Sequence, residues 1–351
     1  MTRISDRRIR FAVVGCGRIA ANHFAAIEKN QADAELVAVC DIAPDALEAA
    51  VESTGAPGFA SLTAMLREAE PRPDVIVLTT PSGLHPAQAV EAAEAGFHVM
   101  TEKPMATRWQ DGLRMVDACD KAGVRLFVVK QNRRNPTLQL LRKAVTEGRF
   151  GRIYSVAVNV FWSRPQAYYD SAAWRGTWEF DGGAFMNQAS HYIDLLDWLI
   201  GPVESVQAMT ATLARNIEVE DSGVMLVKWR SGALGTVNVS MLTFPKNFEG
   251  SITILGEKGT VRIGGVAVNE VQHWDFAEPQ PEDEQLADAS YETTSVYGFG
   301  HPLYYQNVIG ALRGEAAAET SGREGLRSLE ILIAAYLSAR DGKRINLPLE
   351  Y

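Results

Sequence analysis

The stretch Gly15-Cys16-Gly17-Arg18-Ile19-Ala20 lies between a short apolar run, Arg10–Val14, and a segment with helical spacing, Ile19–Lys29. A Gly-x-Gly-x-x-Ala order between a strand and a helix is typical of a dinucleotide-binding turn. The first glycine permits the tight turn, the second lets a pyrophosphate approach the backbone, and Ala20 replaces a third glycine at the helix–strand contact. The pyrophosphate is expected at the helix N-terminus.

A second strand-like run, Leu36–Cys40, ends at Asp41, at about the distance downstream where a ribose-binding acid is expected. Its carboxylate would accept hydrogen bonds from the 2′-hydroxyl of the ribose and repel a 2′-phosphate. We therefore predict NAD rather than NADP as the cofactor. The alternative is a glycine-rich turn that binds no ligand.

The first 130 residues alternate between strand-like and helical segments, which predicts a parallel sheet with helices on both faces. Ligands of such sheets bind at the carboxyl ends of the strands. The loop Thr79–Pro86 is therefore expected beside the nicotinamide ribose. His85 is expected to start a helix or contact the cofactor, with proton transfer as the alternative. The further predicted segments are Pro44–Thr54, Val75–Thr79, Pro86–Ala95, His98–Met100, Trp109–Ala122 and Val124–Val129.

After Arg134 the chain changes to longer runs in which apolar and polar residues alternate. Following a helix at Thr137–Thr146, these runs predict an antiparallel sheet, and we expect domains of residues 1–132 and 133–351. The predicted strands are Ile153–Phe161, Val203–Leu213, Gly223–Arg230, Ala233–Leu242, Ser251–Gly256 and Thr260–Ile263. Helical character is expected in Gly182–Leu199, Pro302–Leu312 and Glu324–Ala339, and a surface loop in Ala277–Ala289.

The charge, the apolar runs and the cysteines of the chain limit its partners and its compartment. The chain has 351 residues and a net charge of −9, which argues against nucleic acid or an anionic membrane as a partner. No apolar run reaches the roughly 18 residues of a membrane span. The segment Met1–Arg10 lacks the features of a signal peptide. Three scattered cysteines without metal-ligand spacing suit a reducing compartment, so we predict a cytoplasmic protein without a metal.

Positive charge is concentrated in one segment of this acidic chain. From Lys130 to Arg175, nine Lys and Arg residues stand against two acidic ones. A solvated helix face is one explanation, and it suits Arg142, Lys143, Arg149 and Arg152. The other is a site for an anionic substrate, with candidate cations at Lys130, Arg133, Arg134, Arg164 and Arg175.

Glu102-Lys103-Pro104 follows the short strand His98–Met100, and a Gly182-Gly183 segment runs on to His191 and Asp194. Together with the glycine turn, these motifs resemble the glucose-fructose oxidoreductase/inositol dehydrogenase (Gfo/Idh/MocA) family over essentially the whole chain. The resemblance implies an α/β Rossmann domain with a parallel sheet, followed by an α+β domain with a large open, mostly antiparallel sheet. It also implies hydride transfer at a sugar or cyclitol hydroxyl.

The chemistry of alcohol oxidation gives these residues roles. The reaction needs a group that accepts the hydroxyl proton and a group that stabilises the developing alkoxide. His191 is the candidate base and Lys103 the candidate cation, although a desolvated lysine can also act as the base. The structural alternative for His191 is a helix histidine packed on Trp198.

Five longer strings carry a narrower resemblance, and they are residues 130–135, 161–169, 174–178, 182–191 and 297–302. They resemble the branch of bacterial dehydrogenases that oxidise carbon 3 of UDP-N-acetylglucosaminuronic acid with NAD in O-antigen biosynthesis. The wider family usually has Asp where this chain has Asn187, and the branch shares the Asn. An Asn would hydrogen-bond a carboxylate-bearing sugar that an Asp would repel.

The narrower resemblance implies NAD-dependent oxidation of the C3 hydroxyl of UDP-2-acetamido-2-deoxy-D-glucuronate to a 3-keto sugar nucleotide, which an aminotransferase then converts. Alternatives are another family dehydrogenase acting on inositol or a simple sugar, and a nonenzymatic protein that binds NAD or a sugar nucleotide. The open sheet carries alternating apolar residues such as Val224, Leu226, Val237 and Val239, which predict a homo-oligomer. The family resemblance implies dimers or tetramers, with a tetramer favoured.

The expected site residues fall into three groups. Lys103 and His191 are the expected catalytic residues. The expected substrate contacts are Asn187, Lys130, Gln131, Arg164, Trp174, Arg175 and Tyr168. The expected cofactor contacts are Gly15, Gly17, Arg18, Ile19, Asp41, Thr80, Ser82, His85, Glu102 and Lys103.

Overall fold

A computed structural model describes residues 3–293, 296 and 298–349. The chain forms two compact units, residues 1–130 with 301–329 and residues 131–300 with 330–351. The first break lies close to the expected boundary at residue 132. Residues 301–329, however, return to the first unit, whereas the sequence suggested that everything after residue 132 belongs to the second domain. Tyr297, which begins the last of the five strings, lies outside the described residues.

The first unit contains a parallel sheet, as predicted. Its strands are β1 (Ile9–Val14), β2 (Ala34–Cys40), β3 (Gly58–Phe59), β4 (Val75–Leu78), β5 (His98–Thr101) and β6 (Leu126–Val128), in the order β3-β2-β1-β4-β5-β6. Its helices include α1 (Ala20–Lys29), α2 (Pro44–Thr54), α3 (Leu62–Glu68), α4 (His85–Glu94) and α5 (Trp109–Ala122). The strand order reverses between β1 and β4, and sheets of this kind bind ligands at the carboxyl ends of the strands beside such a reversal.

The second unit contains a mixed sheet in the described part of the chain. Its strands are β7 (Ile153–Phe161), β8 (Val203–Ala211), β9 (Ser222–Trp229), β10 (Leu234–Ser240), β11 (Glu249–Gly256), β12 (Gly259–Gly264), β13 (Glu270–Phe276) and β14 (Ile345–Asn346). The order is β13-β12-β11-β7-β10-β9-β8-β14. β7 and β10 pair in parallel and the other neighbours are antiparallel, which confirms the mostly antiparallel prediction.

The remaining helices are α6 (Pro136–Thr146), α7 (Gln166–Asp170), α8 (Ser190–Leu195), α9 (Leu286–Ala289), α10 (His301–Arg313) and α11 (Gly322–Asp341). Two π-helical turns, Ala184–Gln188 and Leu196–Ile200, flank α8 within the segment expected to be helical. The predicted surface loop Ala277–Ala289 instead contains a 3₁₀ turn, Pro281–Gln285, followed by α9.

Helix α10 belongs to the first unit because its apolar side completes that unit's core. Residues of α10 pack with β1, α1 and β4, and all of the following are buried: Ile9, Phe11, Val13, Ala26, Val77, Tyr304, Tyr305, Val308 and Ile309. Full burial of one such large apolar side chain stabilises a fold by about 1.5–3 kcal/mol. This packing explains why the chain returns to the first unit after the second sheet is complete.

One face of the second sheet presents apolar side chains to solvent. Met209 of β8 lies opposite Val224 of β9, and Leu226 and Leu234 lie on the neighbouring pairs; between 49% and 73% of each residue is exposed. The expected set of Val224, Leu226, Val237 and Val239 therefore divides between two faces, because Val237 and Val239 are buried. None of the helices in the described ranges combines the length and the hydropathy that crossing a membrane requires.

Candidate cofactor and active-site residues

The glycine turn after β1 has the geometry that its sequence predicts. Gly15 has a φ of +93°, and a Cβ atom there would lie 2.8 Å from the backbone nitrogen of Thr80. A side chain at this position is therefore excluded both by the backbone conformation and by the loop after β4. A Cβ on Gly17, by contrast, would meet no protein atom within 4 Å. The turn leaves room for a group that approaches the backbone in front of α1.

The carboxylate of Asp41 lies directly beside this turn. Its Oδ2 accepts a hydrogen bond of 2.6 Å from the backbone nitrogen of Cys16, and its Oδ1 accepts one of 2.8 Å from that of Ala43. Each carboxylate oxygen has a second lone pair, so both can accept a further hydrogen bond from a ribose hydroxyl. Arg18 and Ile19 complete the turn and immediately precede α1, whose N-terminus has no side-chain cap. These features fit a dinucleotide.

The loop after β4 is tied to the loop after β5 by a buried histidine. Nε2 of His85 lies 2.9 Å from the carbonyl oxygen of Thr80, and Nδ1 lies 3.1 Å from that of Pro104. Burial lowers the pKa of His85. Both ring nitrogens therefore face backbone carbonyls, so the structure gives His85 a role in joining two loops. Thr80 donates its hydroxyl to Gln88 over 2.6 Å, and Ser82 is buried.

Glu102 lies in a buried cluster that the sequence did not indicate. Its Oε1 lies 3.1 Å from Nε2 of His23 and 3.3 Å from Nε2 of His301, while Oε2 accepts the backbone N–H of Lys103 over 3.0 Å. Although burial raises the pKa of the Glu102 carboxyl, hydrogen bonds from His23 and His301 hold it well below its ordinary value. The carboxylate expected to contact the cofactor thus faces two histidines and fixes the backbone of Lys103. The hydroxyl of Tyr305 lies 2.9 Å from Nδ1 of His23.

The same three side chains could in principle offer ligand atoms to a metal, since these atoms lie within 4.8 Å of one another. All three residues are buried. Hydrogen bonds between the two imidazoles and one carboxylate oxygen account for the arrangement, so we assign the cluster to the support of the Lys103 loop. Lys103 itself is half-buried and follows Glu102 at the carboxyl end of β5.

His191 lies in the second unit, on α8, and is buried there. Its Nε2 is 3.0 Å from the side-chain nitrogen of Gln131 in the 3₁₀ turn Gln131–Arg134. From the same turn, Arg133 makes a bidentate ion pair of 2.7 and 2.8 Å with Asp194 of α8. Arg133 was expected to receive an anionic substrate, but its guanidinium is committed to this buried pair. Gln131 and Arg133 together fix α8.

Trp198, on which the structural alternative would pack His191, contacts two cations. The guanidinium groups of Arg133 and Arg142 lie 5.5 and 5.4 Å from the centre of its ring. Both distances are within the range of cation–π contacts. Arg142, which was one of the cations assigned to a solvated helix face, is therefore partly engaged in packing.

Several expected substrate contacts form one group within the second unit. The guanidinium of Arg175 donates to the hydroxyl of Tyr168 over 2.7 Å, and it lies 4.4 and 4.5 Å from the ring centres of Tyr168 and Trp174. Gln188, next to Asn187, lies 3.3 Å from the same hydroxyl. Arg164 lies 5.4 Å from the Tyr168 ring and also contacts Asn247. The structure thus brings Arg164, Tyr168, Trp174 and Arg175 together.

Lys130, another expected substrate contact, belongs to the first unit and is the last residue of its N-terminal part. Its ammonium is buried and donates to the hydroxyl of Ser328 over 2.8 Å. Asn187 lies in the π-helical turn before α8 and donates its side-chain amide to Asp181, a buried acid that the sequence gave no reason to select.

Two family models match the chain. The model of the NAD-binding Rossmann fold of the Gfo/Idh/MocA oxidoreductase family matches residues 9–130, and that of its C-terminal alpha/beta domain matches residues 142–347. The chain belongs to the Gfo/Idh/MocA oxidoreductase family. The predicted Rossmann domain with NAD as its cofactor is therefore confirmed.

Comparison with solved structures identifies two similar proteins. The WlbA dehydrogenase from Chromobacterium violaceum, crystallised with NADH and UDP-GlcNAcA, is 72% identical, with 100% of this chain and 99% of that chain covered and a TM-score of 0.95. The WlbA dehydrogenase from Bordetella pertussis, also with NADH and UDP-GlcNAcA, is 67% identical over 99% and 100%, with a TM-score of 0.96. The D-apiose dehydrogenase of Paraburkholderia graminis is 28% identical, over 99% of this chain and 92% of the relative.

Proposed function

We propose that this chain catalyses the NAD-dependent oxidation of the C3 hydroxyl of UDP-2-acetamido-2-deoxy-D-glucuronate (UDP-GlcNAcA) to the 3-keto sugar nucleotide. The observation that carries the proposal is the 67–72% identity, over essentially the whole chain, to two WlbA dehydrogenases crystallised with NADH and UDP-GlcNAcA. The product fits a later transamination in O-antigen biosynthesis, so an aminotransferase would act next.

The cofactor site is assigned to the first unit. Gly15 and Gly17 would admit the pyrophosphate to the backbone, and Asp41 would accept the ribose hydroxyls. NAD, when bound, supplies the hydride acceptor. Lys103 lies at the end of β5, and its backbone N–H donates a hydrogen bond to the Glu102 carboxylate, which holds this part of the backbone in place.

His191 is assigned the hydroxyl proton and Lys103 the developing alkoxide, with an exchange of these two roles as the alternative. Gln131 orients the His191 ring, and Asn187 orients the substrate. The Arg175–Tyr168–Trp174 group and Arg164 are assigned to the anionic and aromatic parts of the nucleotide. Charge-assisted hydrogen bonds and aromatic stacking suit a diphosphate, a carboxylate and a uracil ring.

The exposed face of the second sheet supports self-association. Met209, Val224, Leu226 and Leu234 form an apolar surface on adjacent strands, and burial of such a surface favours an oligomer. We assign a cytoplasmic homotetramer to the protein. Sedimentation velocity on the purified chain tests the oligomer, and a monomer at micromolar concentration would contradict it.

The test of the function is the appearance of reduced-nicotinamide absorbance when purified protein is mixed with NAD and UDP-GlcNAcA, with UDP-N-acetylglucosamine as the control substrate. An aminotransferase or a 2-oxo acid is added in parallel, because the equilibrium of alcohol oxidation can favour the alcohol. Reoxidation of NADH in place by the 2-oxo acid would remove the absorbance and form a 2-hydroxy acid, so this arm is followed by the formation of the 2-hydroxy acid.

Two variants separate catalysis from binding. Lys103→Met and His191→Asn are each expected to lower kcat by about 10²–10⁴-fold, which is the usual contribution of a proton-transfer group, while NAD still binds. Turnover of inositol or a simple sugar in place of UDP-GlcNAcA would assign the chain to another activity of the family. Binding of NAD without turnover of any of these compounds would indicate a nonenzymatic protein.

A further inference from the structure

Glu220, a buried residue shortly before β9, accepts hydrogen bonds from two other elements of the second unit. Its Oε1 accepts one of 2.9 Å from the backbone nitrogen of Phe185 and one of 2.9 Å from the hydroxyl of Tyr336. Its backbone carbonyl oxygen accepts the N–H of Ala184 over 3.0 Å. The Tyr336 hydroxyl in turn accepts the N–H of Met186 over 3.1 Å. Glu220 and Tyr336 thus take up the N–H groups of three consecutive residues.

These three N–H groups open the π-helical turn Ala184–Gln188. The first N–H groups of a helical segment have no acceptor within the segment, so they need partners from elsewhere. The preceding residue, Gly183, has no side chain that could accept them. Glu220 and Tyr336 therefore cap this turn from two elements that are remote from it in the sequence.

Gly183 lets the carboxyl group of Glu220 approach the start of the turn. A Cβ atom on Gly183 would overlap both carboxyl oxygens of Glu220. The φ of Gly183 is −94°, so a glycine is required here for space and not for its backbone conformation. Oε2 of Glu220 is buried and has no hydrogen-bond partner among the residues that the structure describes. Such an atom costs free energy, so packing alone does not explain a carboxyl group at this position.

The hydrogen bonds of the π-helical turn set the relation between Asn187 and His191. Ala189 donates its N–H to the carbonyl oxygen of Ala184, five residues before it, whereas Ile193 donates to Ala189, four residues before it. The turn that contains Asn187 thus holds one more residue than an α-helical turn, directly ahead of α8 with His191. Regular α-helical pairing would rotate the residues before the turn by about 100° relative to α8. Turns of this kind are frequent at functional sites.

We propose that Glu220 is a positioning residue that, with Tyr336, holds the π-helical turn in register and so keeps Asn187 and His191 in the arrangement that oxidation of the sugar requires. This inference rests on the proposed function. Glu220 acts through the backbone of the turn, and its effect on the reaction follows from geometry. Proton transfer requires a base within hydrogen-bond reach, and a misplacement of about 1 Å can cost about a hundredfold in rate.

The test compares Glu220→Leu with Glu220→Gln. Leucine has no acceptor, so the N–H of Phe185 and the hydroxyl of Tyr336 lose their partner and the turn can return to α-helical pairing. Glutamine keeps an acceptor oxygen for both groups. We expect Glu220→Leu to lower kcat for the oxidation of UDP-GlcNAcA by about tenfold to a hundredfold, and Glu220→Gln to restore most of this loss.

Tyr336→Phe tests the same cap with a smaller change. It removes one hydroxyl and keeps the ring, which packs edge-to-face on Trp178 with 5.3 Å between the ring centres. The N–H of Met186 loses its acceptor, and we expect kcat to fall about tenfold.

Titration with NADH separates a positioning role from a loss of folded protein, because we assign the cofactor site to the first unit. The number of NADH-binding sites gives the amount of folded protein, and kcat is calculated per site. Each variant should bind NADH with the wild-type Kd while kcat per site falls in Glu220→Leu and Tyr336→Phe. A purely structural role would lower the number of sites and leave kcat per site unchanged.

Glu218→Leu is the matched control, because Glu218 is exposed and lies two residues from Glu220. It should leave kcat per site unchanged. Wild-type protein that binds NADH but does not oxidise UDP-GlcNAcA would overturn the proposed function, and this inference with it. If the wild type is active, wild-type kcat per site in Glu220→Leu overturns the inference alone. Where Glu220→Leu does not fold, an unchanged kcat per site in Tyr336→Phe overturns it.

Discussion

The side-chain nitrogen of Gln131 lies 3.0 Å from Nε2 of His191, and both residues are buried. Gln131 belongs to the turn that also carries Arg133, so the ring that we assign to proton transfer is oriented from a neighbouring element rather than from its own helix. A neutral amide at this position orients the imidazole without changing its charge. The charge at position 131 should therefore set the pH at which His191 can act as a base.

Gln131→Glu is expected to move the acid limb of the pH profile of kcat/KM upward by about one pH unit. A carboxylate beside an imidazole stabilises its protonated form, so the free base is reached only at higher pH. The measurement is kcat/KM against pH for the wild type, Gln131→Glu and Gln131→Leu. The leucine variant should lower kcat without moving the limb. A limb that stays in place in the glutamate variant would remove His191 as the base.

Loss of one partner of the Arg133–Asp194 pair should destabilise the protein by about 3–5 kcal/mol, because the remaining charge is buried without its counterion. Arg133→Leu and Asp194→Leu are the single variants, and their combination should cost less than the sum of the two. Urea unfolding of all four proteins gives the coupling energy.

The exposed pair Lys121–Asp117 provides the control, since 75% and 60% of its side chains are accessible. Asp117→Asn should change the free energy of unfolding by less than about 1 kcal/mol. Additive effects of the two leucine substitutions would show that Arg133 and Asp194 contribute independently.

Local sequence signals were sufficient to predict the parallel sheet. Gly15 and Asp41 each meet one physical requirement of the turn. These residues and the alternation of strands and helices can be recognised from residues that are close together in the sequence. The strand Glu270–Phe276 was missed because most of its residues are polar and at least partly exposed, so its sequence lacks the apolar alternation of a strand that covers a core. Helix α10 was recognised, but its place in the first unit depends on tertiary packing.

Candidate site residues could be selected from the sequence only where the residue type by itself pointed to the chemistry. Glu102 was selected from the sequence as a cofactor contact, but its partners His23 and His301 lie 79 and 199 residues away along the chain, so no spacing rule relates them. Asp181 escaped notice because an isolated aspartate six residues before Asn187 has no distinguishing signal. Only the fold shows that these carboxylates are buried and which residues they contact.

Glu220 should make the protein less stable as the pH rises from about 4.5 to 7. Burial raises the pKa of this carboxyl to about 7, while backbone and side-chain hydrogen bonds from Phe185 and Tyr336 oppose the shift. In that pH range the folded state holds a proton that the unfolded state releases, so stability falls with increasing pH, by on the order of 3 kcal/mol in total. Above pH 7 both states are ionised and the loss is complete.

Glu220→Gln should therefore be more stable than the wild type at pH 8 and about equally stable at pH 5. The glutamine oxygen can still accept from Phe185 and Tyr336 and carries no charge. Thermal unfolding at both pH values gives the comparison, with the exposed Glu218→Gln as the control. Equal effects of Glu220→Gln at the two pH values would show that the buried carboxyl does not titrate in this range.

Asp41→Asn should weaken the preference for NAD over NADP. The carboxylate accepts the N–H groups of Cys16 and Ala43 and remains able to accept ribose hydroxyls, and its charge opposes a 2′-phosphate. Loss of a charged hydrogen bond is expected to raise KM for NAD about tenfold, while KM for NADP falls. The measurement is kcat/KM for each cofactor at saturating sugar nucleotide. The control is Asp45→Asn on the exposed first turn of α2. If the cofactor ratio of Asp41→Asn equals that of the control, Asp41 only shapes the turn and the selectivity for NAD must come from another residue.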